Sequence, residues 1–400
     1  MNFLGYLRPD GSVGVRNYVL ILPATRLCNQ MAHRIGQVVA HTKTFISSGE
    51  YGRHKRDRIR QARVLVGLAK NPNVAATVLL GVKDDFGYPE FRLSELIPQI
   101  ASCDKPLVAI NLAEEGGMHR AIEKGITEAR RLVYEASSCR REPFPLGKMT
   151  LGVKCGSSDP TSGIAGNPAF GNLVDRVVGG GGTAIFSETV EIIGAEDELA
   201  KRAVSPQVAE GLYRFVRRAE EAAATIGEDI RTINPIPENI AAGITTLEEK
   251  SLGAIAKSGT VPLQGVLEYC QQPPGKGLYF MDGWMSSFSL PMSLAAAGCQ
   301  MVFYQIGGQG LPDQDPPIYA TNTGVVAPLI YVTGNPRTYQ KASQHIDMST
   351  AGVLTGEMSI PEAGEKLVKL AVDIGSGTLA KGGTLNYTDP IEVFFDGPFL

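Results

Sequence analysis

Apolar and polar positions alternate along the chain in blocks, and block length and spacing set the element types. Val19-Leu20-Ile21-Leu22 is an apolar run of strand length, while Leu27 to Val39 has the three-to-four-residue spacing of a helix. Lys43 to Ile46 predicts a second, shorter strand, Lys55 to Lys70 a basic helix, and Ala75 to Gly81 a fully buried strand. Leu107 to Asn111 adds a fourth strand and Met118 to Tyr134 a charged helix. Short apolar runs separated by helices predict a parallel sheet covered on both faces. The polar stretch around Pro143 and Pro145 then breaks the pattern, which predicts an N-terminal α/β domain over residues 1–145.

The same rhythm returns over residues 146–400 and predicts a second Rossmann-like α/β domain, the catalytic one. Its strands are expected at Met149 to Val153, Thr183 to Phe186, Gly277 to Asp282, Met301 to Ile306 and Leu329 to Thr333. Its helices are expected at Ala195 to Ala203, Pro206 to Ile226, Leu290 to Ala297 and Pro336 to His345. In open parallel sheets ligands lie beyond the carboxyl ends of the strands. That rule points to Asp282, to Gly307-Gly308-Gln309-Gly310 and to Thr333-Gly334-Asn335. Beyond Ala380 the pattern is irregular, as in a tail that docks elsewhere.

Composition narrows the function classes. Lys and Arg total 38 against 41 Asp and Glu, a net charge of −3, which argues against nucleic-acid binding driven by counterion release. No uncharged apolar run approaches the ~18 residues that suggest a membrane span. Met1 to Pro9 has no basic segment leading into a long apolar one, so no signal peptide is expected. The 6 cysteines lack Cys-x-x-Cys spacing and read as reduced thiols of a cytoplasmic protein. Gly14 to Asn17 precedes the first long strand, the wrong order for a dinucleotide fingerprint, and no phosphate-binding loop follows a strand. No nucleotide cofactor is expected.

Candidate chemistry lies where polar residues follow strands. Lys154-Cys155-Gly156-Ser157-Ser158-Asp159 puts a lysine, a thiol, two hydroxyls and a carboxylate into six residues. It reads either as an anion-binding nest or as a turn with an Asp or Ser helix cap. Glu188 and Glu191 follow the next strand, as ligands for a divalent cation or as acid and base. In Asn239 to Ser251, Thr246 and Glu249 have capping-box spacing, which leaves Asn239, Gly243, Glu248 and Lys250 without an assigned task. His54 sits in the basic loop Arg53-His54-Lys55-Arg56, suited to holding a carboxylate or sulfonate.

Several of these segments resemble the catalytic region of the altronate and galactarate dehydratases. They are Gly5 to Gly11 with Gly14-Val15-Arg16-Asn17, Lys154 to Asp159 with Ser162-Gly163, Glu188 to Glu196, Gly243 to Ser251 and Asn322-Thr323. A second set resembles the branch represented by the large subunit of sulfolactate sulfo-lyase: Tyr51-Gly52-Arg53, Gly277 to Asp282, Gly334 to Thr338, His345-Ile346-Asp347, Gly352-Val353-Leu354 and Glu357-Met358. The sugar-acid dehydratases carry cysteines near positions 54 and 81. Here those places read Arg53-His54-Lys55 and Val82-Lys83-Asp84, and only Cys155 remains.

The resemblance implies a β-elimination of water or sulfite from a small anionic 2-hydroxy acid, giving a 2-keto acid. It implies Lys154, His54 and Lys250 as the acid–base set, and Arg16, Asn17, Arg53, Cys155, Ser157, Asp159 and Thr245 around the substrate. Glu188 and Glu191 are expected to hold a divalent metal, Fe2+ first, with Mn2+ or Mg2+ as alternatives. It further implies a small partner subunit carrying a domain that relatives have before this region, and assembly into a homo-oligomer. The competing class is a non-catalytic subunit that binds or senses an anion.

Overall fold

The computed structural model describes residues 1–46, 49–308, 324–385 and 393–397. The chain opens with β1 (Asn2–Leu7), which pairs antiparallel with β2 (Val13–Gly14). A four-stranded parallel sheet follows: β3 (Tyr18–Pro23), β4 (Thr42–Thr44), β5 (Val74–Gly81) and β6 (Leu107–Asn111), in the order β4-β3-β5-β6. All eight residues of β5 are buried, because helices cover both faces. Helices α1 (Asn29–Val38) and α4 (Met118–Ser137) pack on Val19, Ile21, Val78 and Leu80. Helices α2 (Lys55–Lys70) and α3 (Leu93–Ala101) pack on Leu20, Leu22 and Leu79.

β7 (Glu142–Pro145) returns to the start of the chain and pairs with β1, Leu4 opposite Pro143. Prolines donate no ladder hydrogen bond, so they fit this edge position, and a segment that reads as a linker is an edge strand. The alternation in β1 is half-buried and short, and neither strand was expected.

The second parallel sheet has seven strands: β8 (Thr150–Gly156), β9 (Thr183–Phe186), β10 (Leu263–Leu267), β11 (Gly277–Met281), β12 (Met301–Ile306), β13 (Leu329–Thr333) and β14 (Met348–Ser349). Their order is β10-β11-β9-β8-β12-β13-β14. From β8 the chain works outward on one side and then returns to place β12 on the other. The strand order therefore reverses between β8 and β12, and a crevice at their carboxyl ends is where a ligand is expected.

Residues 187–262 lie between β9 and β10. α5 (Asn167–Gly179) follows a π-helical turn, Ser162–Gly166, and packs on the sheet. Then come short α6 (Glu196–Ala200), long α7 (Pro206–Thr225), short α8 (Ile230–Ile233) and α9 (Pro237–Ala241), and α10 (Leu247–Ile255). α11 (Ser289–Ala296) precedes β12. A further helix, Ile360–Gly375, lies against α5 although its segment was not expected to be helical. The helices expected to end at Ala203 and His345 stop at Ala200 and Ala342.

The two sheet units are joined by a buried, hydrogen-bonded seam. Gly67 of α2 lies so near Ala296 of α11 that an added Cβ would come within 2.3 Å of that carbonyl oxygen. Asn71 donates to the carbonyls of Ala295 (2.7 Å) and Cys299 (2.9 Å), and Asn73 to those of Gln300 (2.7 Å) and Val326 (3.0 Å). Buried amides paired in this way fix one relative placement of the units.

Candidate active site

Successive residues of a strand face opposite sides of the sheet. Lys154 near the end of β8 is registered beside Tyr304 of β12, with its ammonium 4.0 Å from the ring centroid. The ammonium donates to the Cys155 carbonyl at 2.9 Å and lies 3.6 Å from Glu188 Oε1. Glu188 stands two residues past β9 in a left-handed conformation, φ 79° and ψ 80°, which costs a non-glycine residue about 1–3 kcal/mol. Its Oε2 is buried and has no hydrogen-bond partner among the described residues.

Glu191, one turn on, is held from the other side. Lys257 Nζ is 3.1 Å from its Oε2, the Cys155 thiol donates to the same oxygen at 3.4 Å, and Lys250 Nζ is 3.8 Å from Oε1. Lys250 projects from α10 and donates to Asn234 Oδ1 (2.5 Å) and Asn239 Oδ1 (3.0 Å). Lys257 also donates to Cys155 Sγ at 3.3 Å. Lys154, Glu188, Glu191 and Lys257 are each at most 2% exposed.

These groups border a cavity of about 190 Å³ lined by Lys154, Cys155, Ser157, Glu188, Glu191, Asn239, Lys250, Met285 and Ser287, among others. A second cavity of about 240 Å³ shares Ser158 and Lys250 with it.

Burial and neighbours divide the protons unequally. Burial, then the charge of Glu191, raise the Glu188 carboxyl to about 8 against the pull of Lys154. Burial works against Glu191 as well, but Lys257, Lys250 and Lys154 hold it below the usual carboxylate range. Burial also opposes the charge on Lys154 and Lys257. The carboxylates outweigh it and both stay protonated, Lys154 chiefly beside Glu188 and Lys257 beside Glu191. Burial and Glu191 push the Cys155 thiol up to about 11, so it is neutral and not a nucleophile at neutral pH.

Three ammonium groups against one ionised carboxylate make a site for an anion. The same balance bears on the expected metal. Among the described residues no group of three or more His, Cys, Asp or Glu is arranged to hold a metal ion. The oxygens of Glu188 and Glu191 that have partners face lysines, which would repel a dication. The residues at this pair do not fit a divalent metal.

The structure gathers Lys154, Cys155, Ser157, Glu188, Glu191 and Lys250 around the cavity and places the other expected residues elsewhere. Arg16 donates to the carbonyls of Val15, Ile374 and Thr378, and Asn17 bridges Arg8 and the Ala136 carbonyl. Both tie chain segments together. Asp159 accepts from Asn335 Nδ2 (2.7 Å), Gly308 N (2.8 Å) and Ser162 N (3.2 Å), so for this residue the turn-and-cap reading holds. Thr245 donates to Glu249, whose own amide is capped by Thr246 at 3.1 Å, so it serves the start of α10.

Arg53 stacks over the Phe395 ring at 3.4 Å, and His54 Nε2 meets the Gly397 carbonyl at 2.6 Å and Asp57 at 3.2 Å. The basic loop is occupied by the chain's own tail. Asp282 is buried and does not line the cavity. Gln309, Gly310, Asn322 and Thr323 lie outside the described residues.

Lys257, Tyr304 and Asn234 were missed. Lys257 had a legible signal: it follows Lys250 by seven residues, two helical turns, on the same face of an otherwise apolar segment. Tyr304 lies inside an apolar strand and had none.

A parallel α/β scaffold with a buried carboxyl and several lysines gathered at its strand-order reversal has the kinds of group that acid–base enzymes use. Comparison with known proteins then gives the family. Residues 146–394 match the family model described as D-galactarate/Altronate dehydratase, C-terminal, and residues 5–137 match D-galactarate dehydratase/Altronate hydrolase, second domain. The chain belongs to this family. It is 32% identical over 394 residues to the (2R)-sulfolactate sulfo-lyase subunit beta of Chromohalobacter salexigens, covering 97% of this chain and 96% of that one. It is 26% identical to the altronate dehydratase of Bacillus subtilis, covering 94% of this chain and 74% of the relative. The galactarate dehydratase (L-threo-forming) of Escherichia coli is also 26% identical, with 94% and 73% covered. All three names are those of lyases, and the α/β class of the fold agrees with the sequence-based expectation. Among the described residues no helix is long and apolar enough to cross a membrane.

Proposed function

We propose that the chain catalyses β-elimination from a small anionic 2-hydroxy acid, releasing water or sulfite and leaving a 2-keto acid. The observation that carries this reading is Glu188, a buried carboxyl with one unpartnered oxygen, set against the Lys154 ammonium on the wall of a cationic cavity. A base whose pKa lies near the working pH combines a useful ionised fraction with real basicity, and Glu188 at about 8 meets that condition.

In this scheme Glu188 takes the proton from the carbon beside the substrate carboxylate. That carboxylate gains enolate charge as the C–H electron pair moves inward, and the ammonium groups of Lys154 and Lys250 oppose it. The pair then forms the C=C bond as the neighbouring C–O or C–S bond breaks. Lys250, shared by both cavities, gives a proton to a departing hydroxide. Sulfite departs as an anion and needs none. The resulting enol relaxes to the keto acid. Fixed donors aimed at developing charge in a water-poor site are each worth about 10²–10³ in rate.

A partner subunit belongs to the same proposal. The sulfo-lyase relative is named a beta subunit, and the family model matched by residues 5–137 describes a second domain. The test is to incubate the protein with sulfolactate and with altronate and galactarate, assaying both 2-keto acid and sulfite. Keto acid without sulfite assigns a dehydratase, and both together a sulfo-lyase. Tight substrate binding with no product, with or without a partner subunit, would replace the enzyme by an anion-binding protein.

A further inference from the structure

Glu188 is held in a strained backbone conformation by groups that do not touch the cavity. The residues on both sides of it are clamped to one short segment, Asp282-Gly283, at the end of β11. Thr189 N donates to the Gly283 carbonyl at 3.0 Å, and Thr189 Oγ1 donates to Asp282 Oδ1 at 2.8 Å. Gly283 N returns a hydrogen bond to Thr189 Oγ1 at 3.4 Å. On the other flank Ser187 packs closely against Gly283, where an added Cβ would lie 2.5 Å from its hydroxyl.

Asp282 is itself fixed. It is fully buried, and its Oδ1 accepts a hydrogen bond of 2.5 Å from Arg218 of α7. A left-handed non-glycine residue persists only where its surroundings over-determine it. Here they do, from a neighbouring strand end and the helix above it.

We propose that Asp282 is a positioning residue for the elimination: anchored by Arg218, it holds Thr189, and through Thr189 it keeps Glu188 in the left-handed turn that sets its carboxyl against Lys154. The inference rests on the role of Glu188 proposed above. The charged or titratable groups around Glu188 are Lys154, Cys155, Glu191, Lys257 and Tyr304, and Asp282 pairs with none of them but with Arg218, so the influence runs through the backbone. If released, the Glu188 turn relaxes towards an ordinary conformation and its carboxyl leaves Lys154.

Thr189→Val removes the hydroxyl at nearly constant shape, and Thr189→Ser keeps it. We expect kcat to fall roughly 10- to 100-fold in Thr189→Val with KM changed less than about threefold, and Thr189→Ser to restore most of the loss. Titration of the Glu188 carboxyl, followed by infrared difference spectroscopy against Glu188→Gln, needs no substrate. Its midpoint is expected to rise in Thr189→Val, because the Lys154 pull is lost, and to stay in place in Thr189→Ser. Asp282→Leu in the Thr189→Val background should add little to the loss of kcat, since both changes reach Glu188 through the one Thr189–Asp282 hydrogen bond.

A Thr189→Val protein that melts lower but keeps the wild-type Glu188 midpoint would overturn the proposal, and so would fully additive effects of the two substitutions. If no hydroxy acid is turned over by the wild type, the elimination reading fails separately, and the carboxyl titration still decides the positioning role.

Discussion

At the carboxyl edge of the seven-stranded sheet, Lys154, Lys250 and Lys257 surround Glu188 and Glu191. On α2 and the loop before it, His54, Arg56 and Arg60 surround Asp57 and Asp396. In sequence the second group is the more conspicuous, because its basic residues are contiguous. In the structure it is a latch. Asp57 is fully buried, accepts from Asp396 N and Gly397 N at 3.0 Å each and from Arg60 at 3.4 Å, and lies 3.2 Å from His54 Nε2. Asp396 lies 2.7 Å from Arg60 and 3.3 Å from Arg56. Both oxygens of Asp57 are engaged by its own chain, and Arg60 Nη2, buried there without a hydrogen-bond partner among the described residues, lies away from the lysine-lined cavity. At Glu188 one oxygen has no partner, and the lysines exceed the ionised carboxylates. Charge density does not distinguish the two clusters. Residual hydrogen-bonding capacity next to a cavity does.

The sharpest way to break this comparison is Glu188→Gln. It should lower kcat/KM by about 10²–10⁴-fold, the range attributed to a general base, as measured by keto-acid release. In the wild type kcat/KM should rise with pH and level off above about 8, as Glu188 loses its proton. Stability should move the other way. The carboxyl is raised from 4.5 to about 8 in the folded state, so the folded protein holds that proton more tightly than the unfolded chain. The stabilisation is fully present below 4.5 and is lost as pH rises through about 8. Glu188→Gln should therefore gain melting temperature over the wild type at alkaline pH. A residue that was only structural would lose activity and stability together at every pH.

Lys154→Met comes next, with an expected loss of roughly 10²–10³-fold in kcat/KM and a clear drop in melting temperature. It removes a buried partner and leaves Glu188 facing Glu191 without the nearer cation. Breaking a buried pair from one side commonly costs about 3–5 kcal/mol. Unchanged turnover in Lys154→Met would move the enolate-stabilising role to Lys250 alone.

The two clusters also show what the sequence could reveal. Long buried strands such as Ala75 to Gly81 and Met301 to Ile306 were legible because a parallel sheet covered on both faces leaves continuous apolar runs. β1 and β7 were not, since an edge pair shows only half-buried alternation and tolerates proline. Lys154, Cys155, Ser157, Glu188, Glu191 and Lys250, which line one cavity, were legible as candidates because polar residues directly after strands, or inside a segment otherwise explained by capping, stand out. Asp159 and Thr245 stood out for the same reason and Arg16 through the family resemblance, yet each spends its hydrogen bonds on the backbone or on a cap. Whether a polar residue is already satisfied depends on partners far along the chain, such as Ile374 for Arg16 and Asn335 for Asp159. Periodicity carries no information about such partners.

The latch makes two smaller predictions. Asp57→Ala should destabilise the fold by about 1–3 kcal/mol in denaturant melts, because the two tail amides and Arg60 lose a buried acceptor. Its kcat should stay within about threefold of the wild type, since Asp57 has no contact with the cavity. A large loss of kcat would mean that the tail orders the cavity wall, through Phe394 beside Trp284 and the neighbouring Met285.

Arg53→Ala should have the smallest effect. If Arg53 bound the substrate carboxylate or sulfonate, its loss would raise KM by ten- to a hundredfold, as removing a charged hydrogen bond of about 1.5–3 kcal/mol does. The structure instead stacks the guanidinium on Phe395, a contact worth about 0.5–1 kcal/mol at a partly exposed position. The expected outcome is a KM within about twofold of the wild type and a slightly lower melting temperature. This variant tests the comparison from its weaker side. A large rise in KM would show that the tail and the substrate compete for the loop, and that the latch has to open before the cavity fills. A small one leaves anion recognition to the three buried lysines, as the proposed elimination requires.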